Sequence, residues 1–400
     1  EIVKAGVNLP KQAGKMVALD IGPTGKLLKP MGDLDFEECV ALFAEVVKAG
    51  AAGADLVLIE TMGDTYEIKA AILAAKENCS LPVFVSMIFD EKGRLLTGAD
   101  IKTACAVVEG LGADAIGFNC GLGPEQMIPL VEELRRRTSL PILVNPNAGL
   151  PEVVDGKTVY NVDPDAFSSF MEKIARLGVS YLGGCCGTTP EHIKALIEKT
   201  KDIPESVPEK KNFTLVTSGN ESAEFGRKSL VIGERINPTG KPLLKEALRS
   251  GDMEYIIREG VTQRENGAHI LDVNVGLPDI DEVKMLTRAV TELQSVIPTP
   301  LQLDSADPRA LEAALRIYNG KPLLNSVNGK ESSMSAILPL VKKYGAAVVC
   351  LCLDENGIPE KAEGRIEIAK KIIARAEEYG IDRKDLLVDA LTMTVSTDKN

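Results

Sequence analysis

Cys120, Cys185 and Cys186 are the residues of this chain whose type and spacing best suit chemistry. The last two are adjacent within Gly183-Gly184-Cys185-Cys186-Gly187-Thr188, just after the apolar Val179-Ser180-Tyr181-Leu182. Cys120 closes a similar run, Ala115-Ile116-Gly117-Phe118-Asn119-Cys120, and Gly121 follows it. Neighbouring side chains on an ideal strand point to opposite faces, so two adjacent thiolates could not easily share a metal there. Glycines on both sides free the backbone from that geometry. Three thiolates at the ends of two strands would make a three-sulfur zinc site with an open fourth position, as catalytic zinc requires. Plainer readings are small buried thiols or a disulfide between the adjacent pair.

The other cysteines are expected to do no chemistry. Cys39, Cys79 and Cys105 fall in helices or at helix ends, and Cys350 and Cys352 share one face of a strand as core residues. His192 and His269, the two histidines, are not expected to ligate metal. Eight cysteines scattered through 400 residues do not form a dense disulfide framework, which points to reduced thiols in the cytoplasm. The net charge of −12, with no basic run, argues against nucleic acid as a partner. No apolar stretch approaches the ~18 residues of a membrane span, so no membrane partner is expected.

The elements that must position these residues are strands and helices in alternation. Strands are predicted at Val17–Asp20, Leu56–Glu60, Val83–Ile88, Ala115–Asn119, Ile142–Asn145 and Ser180–Leu182, with amphipathic helices between them. Gly53-Ala54-Asp55 recurs as Gly112-Ala113-Asp114, and Ser80-Leu81-Pro82 recurs as Ser139-Leu140-Pro141. Both recur at one interval, close to two βα units of roughly 30 residues each, the spacing of a (β/α)8 barrel. The second half repeats the pattern, with strands at Leu230–Gly233, Ile270–Asn274, Leu301–Asp304, Leu323–Ser326, Ala347–Leu353 and Leu386–Ala390. No nucleotide-type glycine fingerprint supports the alternative, an open doubly wound sheet. The expected fold class is therefore α/β, two (β/α)8 TIM barrels in tandem. Each shows six strands, the first barrel lacking its N-terminal strands and the second its C-terminal strands. The domain expectation is residues 1–200 for the first barrel, a Lys-, Glu-, Pro- and Ser-rich linker over 201–228, and residues 229–400 for the second.

Polar residues at the C-terminal ends of barrel strands are the ones placed for chemistry. In the first half these are Asp20, Glu60, Cys120, Asn145, Asn147, Cys185 and Cys186. The second half offers Glu234, Asn237, Asp272, Asn274, Asp304, Asn325, Asn328 and Asp389, with almost no cationic or nucleophilic group among them. A carboxylate and carboxamide pocket suits a ligand with a flat edge of donors and acceptors, such as a pterin. At any single position the plainer reading is a cap for the next turn.

These motifs carry a resemblance. Asn119-Cys120-Gly121 with the Gly183–Thr188 stretch resembles the zinc signature of the homocysteine S-methyltransferase family, and Leu19–Gly25 is similar to that family's third-strand segment. The second half resembles pterin-binding domains through Gly233–Gly240, Leu271-Asp272-Val273-Asn274, Leu303-Asp304-Ser305, Asn325–Gly329 and Asp389. The two in this order resemble the N-terminal half of the cobalamin-dependent methionine synthases. That resemblance implies zinc on Cys120, Cys185 and Cys186, and homocysteine as methyl acceptor. It implies Glu60, and more weakly Asp20, for the homocysteine amino group, with Asn147 or water in the fourth zinc position when no substrate is bound. It further implies 5-methyltetrahydrofolate held by Asp304, Asn325 and Asp389, with Glu234, Asn237, Asp272 and Asn274 around them. Cobalamin would be bound by a module absent from this chain, which makes a cobalamin-binding domain a partner. A betaine-type homocysteine methyltransferase or a pterin-dependent corrinoid methyltransferase would each share one half. A zinc-stabilised scaffold is the non-enzymatic alternative.

Overall fold

Strands and helices alternate along the whole chain, as the recurring Gly-Ala-Asp and Ser-Leu-Pro segments predict. In the computed structural model, which describes residues 1–392, the chain divides into two compact units with the boundary after Lys211. The first unit begins α1 (Ile2–Lys11), β1 (Ala18–Ile21), α2 (Phe36–Gly50), β2 (Leu56–Met62), α3 (Thr65–Asn78), β3 (Val83–Met87) and α4 (Ile101–Gly110). It continues with β4 (Ala115–Asn119), α5 (Pro124–Arg137), β5 (Ile142–Asn145), β6 (Glu152–Val154), β7 (Lys157–Val159), α6 (Pro164–Arg176), β8 (Tyr181–Leu182) and α7 (Pro190–Thr200). Its main sheet is parallel, in the order β1-β2-β3-β4-β5-β8. Strands that neighbour one another in chain order, each returning through a helix, make a singly wound sheet, the strand order of a β/α barrel wall.

Register sorts the two faces. Val57, Ile59, Val85, Ile116, Phe118, Ile142 and Val144 lie on the face packed by helices and are fully buried or nearly so. Asp20, Leu58, Glu60, Phe84, Ser86, Gly117, Asn119, Leu143, Asn145 and Tyr181 share the other face, through pairs such as Asp20↔Leu58, Phe84↔Ala115 and Asn119↔Asn145. On that face the rings of Phe84 and Tyr181 lie 4.8 Å apart. Their strands are separated by β4 and β5, and in a flat sheet would stand roughly 14 Å apart. The sheet is therefore strongly curved with this face inside, like part of a barrel wall. Helix starts follow from local chemistry: Asp35, Asp64, Asp100 and Asp163 each accept a backbone N–H of the first turn, and Pro164 stands at the first helical position after the last of these.

The second unit contains β9 (Leu215–Thr217), β10 (Ser222–Glu224), β11 (Ile232–Ile236), α8 (Pro242–Ser250), α9 (Met253–Glu265), β12 (Ile270–Asn274), α10 (Glu282–Val296) and β13 (Leu301–Asp304). Then come α11 (Pro308–Ile317), β14 (Leu323–Asn328), α12 (Glu331–Tyr344), β15 (Ala347–Leu351), α13 (Ala362–Glu378) and β16 (Leu386–Asp389). Its six-stranded sheet is again parallel and in chain order, β11 to β16. The strand predicted at Leu230–Gly233 begins later, because Val231 gives its N–H to the His269 ring instead of the sheet. The residues read as linker include the antiparallel hairpin β9–β10, which closes the N-terminal end of this sheet. Val216 and Ala223 pack there against Ile270, Leu323 and Ala347, at the beginnings of three strands. Cys350 and Cys352 are buried in the core, and all eight cysteines are free. No helix among the described residues is long and apolar enough to cross a membrane.

Beside this hairpin Lys321 Nζ meets Asp385 Oδ1 at 2.6 Å, with both side chains nearly out of solvent. Removing one partner of such a pair leaves an uncompensated buried charge. Asp385→Ala is expected to destabilise the second unit by about 3–5 kcal/mol, read as a lowered urea midpoint. A midpoint equal to that of the unsubstituted chain would show that Lys321 finds water or another partner.

Candidate metal centre and polar strand-end face

The puzzle of two adjacent cysteines sharing one site is resolved by where the strand stops. β8 ends at Leu182, and Cys185–Thr188 is a turn in which Thr188 N–H donates to the Cys185 carbonyl at 3.2 Å. Gly187 has φ +79°, the sign demanded of a third turn residue in type II geometry. Gly184 is equally constrained, since a Cβ there would lie 2.3 Å from Thr188 Cγ2. The chain after β5 braces this turn at several points. Cys185 N–H donates to the Pro146 carbonyl (2.8 Å), Cys186 N–H to Asn147 Oδ1 (3.0 Å), and Ala148 N–H to the Cys186 carbonyl (2.9 Å). Cys120, at the end of β4 with φ +56°, is tied to the same chain, donating its N–H to the Asn145 carbonyl at 3.1 Å.

The result is a convergent trio. The three sulfurs lie within 4.8 Å of one another, and Cys120 Sγ and Cys186 Sγ are 3.8 Å apart. Two sulfurs each ~2.3 Å from a tetrahedral zinc ion stand about 3.8 Å apart, so this spacing fits thiolate ligation. It is far beyond the ~2.05 Å of a disulfide, and the cysteines are free. Burial pushes the Cys185 thiol up to about 12, with the neighbouring Cys120 and Cys186 charges adding to it and Asn119 opposing. Without a cation Cys185 resists ionisation, and a divalent ion would reverse that balance.

Asn119 is a residue for which the sequence suggests no role. Fully buried, it accepts hydrogen bonds from Thr61 N–H and Ser86 Oγ, both at 2.8 Å. Its amide nitrogen donates to Thr61 Oγ1 at 2.7 Å and faces Cys185 Sγ at 3.9 Å. Asn147 is 3% exposed, with its oxygen committed to Cys186 N–H. Asp20 and Glu60 share the inner face of the sheet. Burial raises both carboxyls, and the charge of Asp20 raises Glu60 further. His192 is bound to Thr189 and to the Val162 carbonyl, outside the sulfur cluster. A cavity of about 890 Å³, within the ~300–1,000 Å³ of ligand pockets, has Thr61, Ile88, Gly121 and Leu122 among its walls, but neither the three cysteines nor Asp20 and Glu60 line it.

In the second unit, register places Asn274, Asp304 and Asn325 level across three strands, with Asp272 and Gln302 one step below on the same face. Asn274 Nδ2 donates to Asp304 Oδ2 at 2.9 Å, and Gln302 Nε2 donates to Asp272. Gln302 is a further member of this face, level with Asp272, to which the sequence assigns no role. Burial, then the nearby Asp304 charge, raises Asp272 to about 7, against hydrogen bonds from Gln302 and Asn325. Burial also raises Asp304, with Asn274 opposing and the Glu282 and Glu234 charges adding. Three other residues are engaged locally. Glu234 pairs with Lys241 at 3.0 Å, Asn237 accepts Thr239 N–H at 3.1 Å, and Asp389 accepts Leu391 N–H at 2.7 Å.

Residues 1–200 match the family model described as homocysteine S-methyltransferase, and the chain belongs to that family. Residues 233–400 match the model described as pterin binding enzyme. The methionine synthase of Mycobacterium leprae is 34% identical over 364 residues, covering 86% of this chain and 30% of that protein. The methionine synthase of Mycobacterium tuberculosis is 34% identical over 359 residues, with the same coverage of 86% and 30%. The chain thus spans under a third of the length of these relatives. A solved apo homocysteine methyltransferase from Escherichia coli is 26% identical, over 49% of this chain and 66% of that one, at a TM-score of 0.39.

Asp272 titrates near 7 when folded, against 3.8 when unfolded, so between those values the folded state keeps a proton that the unfolded chain has lost. Stability should therefore fall as pH rises across that window, and the cost should persist in full above it. The stability gain of Asp272→Asn over the unsubstituted chain is expected to grow from about pH 4 to about pH 7 and to stay constant above it, measured by urea unfolding of the second unit. An identical pH slope in both proteins would place the raised carboxyl elsewhere.

Proposed function

We propose that the chain is the substrate-activating part of a methionine synthase, an enzyme that forms methionine and tetrahydrofolate by methyl transfer from 5-methyltetrahydrofolate to homocysteine through cobalamin. The observation that carries this reading is the sulfur trio, spaced for zinc at the end of a curved parallel sheet. Cys120, Cys185 and Cys186 would hold the ion, and zinc there would supply the positive charge that ionises a substrate thiol near neutral pH. Glu60, with Asp20 beside it, would receive the homocysteine amino group on the inner face. Asn147 and Asn119 would keep the cysteines aligned, the first through the Cys186 backbone and the second near the Cys185 sulfur.

In the second unit, Asp304, Asn325 and Asp389 would hold the pterin edge, with Glu234, Asn237, Asp272 and Asn274 around them. No nucleophile stands among these residues, so they would act by orienting the folate and assisting its protonation. Asp272 is suited to that assistance, because a carboxyl raised to about 7 exchanges its proton near neutral pH. We read the two units as tandem TIM barrels, each incomplete in this chain, over 1–200 and 229–400 with 201–228 between them. The cobalamin would be carried by a domain outside this chain, and the free cysteines support a cytoplasmic setting. The pterin match supports this reading over a betaine-type homocysteine methyltransferase, and the cysteine trio supports it over a pterin-dependent corrinoid enzyme.

Metal analysis tests the central part of this reading. The chain should retain about one zinc, and Cys120→Ala, Cys185→Ala or Cys186→Ala should each reduce it to near zero. Cys350→Ala should keep the full complement, since Cys350 is buried in the core of the other unit. Stoichiometric zinc in Cys185→Ala would rule the trio out as the metal site.

A further inference from the structure

Strands β6 and β7 pair only with each other, in the register Glu152↔Val159, Val153↔Thr158 and Val154↔Lys157. They turn through Asp155 and Gly156 at φ +50° and +73°, the two positive values of a type I′ hairpin. Every residue of the two strands is exposed, so core burial does not fix the ribbon. It is fixed at its base. Asn161 Nδ2 donates to Glu152 Oε1 at 2.6 Å, Val162 N–H donates to the Ala148 carbonyl at 3.0 Å, and His192 Nε2 meets the Val162 carbonyl at 2.9 Å. Between the ribbon and this base stands Tyr160.

Tyr160 lies against the cysteine turn. A Cβ on Gly187 would come within 2.4 Å of Tyr160 Cγ, so the ring occupies space that only glycine leaves free. Its hydroxyl reaches the neighbourhood of Cys186, and all three thiols are close enough to act on it electrostatically. Cys186 is also the exposed member of the trio, the others being half-buried. A thiolate at such a position needs an outer donor to keep its sulfur turned toward a metal, and outer-shell partners of this kind tune both affinity and reactivity.

We propose that Tyr160 is a positioning residue of the metal centre: its phenol O–H donates to the Cys186 thiolate, holding this exposed sulfur in ligating geometry. The hairpin β6–β7 and its anchored base are the device that presents it. This inference rests on the metal reading of the trio and goes beyond it, assigning a role to a residue outside the ligand set.

Tyr160→Phe is the decisive variant, because it keeps the ring on Gly187 and deletes only the donor. Zinc affinity, measured on the whole chain by competition with a chromogenic chelator, should fall about tenfold or more in this variant. Iodoacetamide should alkylate Cys186 of the zinc-loaded variant faster than in the unsubstituted protein, with the adduct located by mass spectrometry. Thermal unfolding of the metal-free proteins should be unchanged. Tyr160→Ala should weaken zinc binding at least as much. Unchanged affinity and alkylation in Tyr160→Phe would overturn the proposal, as would a defect confined to Tyr160→Ala, which would make ring packing the cause. An unsubstituted chain that takes up no zinc would overturn both this inference and the metal reading beneath it, whereas zinc uptake with a silent Tyr160→Phe removes only the role of Tyr160.

Discussion

The convergence of Cys120, Cys185 and Cys186 depends on one stretch of backbone, Asn145–Ala148, which continues from β5 between the two cysteine-bearing strand ends. Asn145 ties down Cys120, and Pro146, Asn147 and Ala148 tie down Cys185 and Cys186. Each such bond contributes only about 1 kcal/mol net, yet together they set the spacing of three sulfurs that share no covalent link. The glycines around the cysteines follow from this constraint. They let the chain leave β8, turn within four residues and pass beneath the Tyr160 ring without a Cβ in the way. A parallel sheet in chain order brings β4, β5 and β8 side by side, so the fold supplies the neighbourhood and the loop hydrogen bonds supply the geometry.

The second unit works by a different principle. Its candidate face holds no cluster of soft ligands, and carboxyl and carboxamide groups are stacked in two register levels across β12, β13 and β14. Burial raises both Asp272 and Asp304, the Asp304 charge raises Asp272 further, and the Gln302, Asn325 and Asn274 amides offset part of that cost. Such a face is polarised toward ligands that offer donors. It needs no metal to be chemically distinctive, and its shape is carried by strands, where positions are firmer than in loops.

Much of this was legible in the chain itself, for physical reasons that differ by element. Buried parallel strands read as short apolar runs, and their helices are capped by Asp residues in sequence-local fashion, so both sheets could be anticipated. The adjacent cysteines were conspicuous because glycine flanks them. The hairpin β6–β7 was missed although Asp155-Gly156 between valines is a hairpin signal, because its strands are three residues long and bury nothing. Apolar Leu230 and Val231 read as the start of a strand, whereas the His269 ring takes the Val231 N–H and β11 begins at Ile232. Gln302 and Tyr160 are not legible as site members, and Asn119 is legible only as part of the motif around Cys120, with no role for its side chain. Their roles come from contacts across strands or across a loop, which single-chain spacing does not encode.

A metal centre on the three cysteines would leave one position for the sulfur of a substrate. X-ray absorption at the zinc edge tests it most directly, on zinc-loaded protein with and without saturating homocysteine. Three sulfur ligands are expected before addition and four after it, with the fourth lost when methionine replaces homocysteine. Three sulfurs in both states, with homocysteine binding confirmed by calorimetry on the same sample, would contradict it.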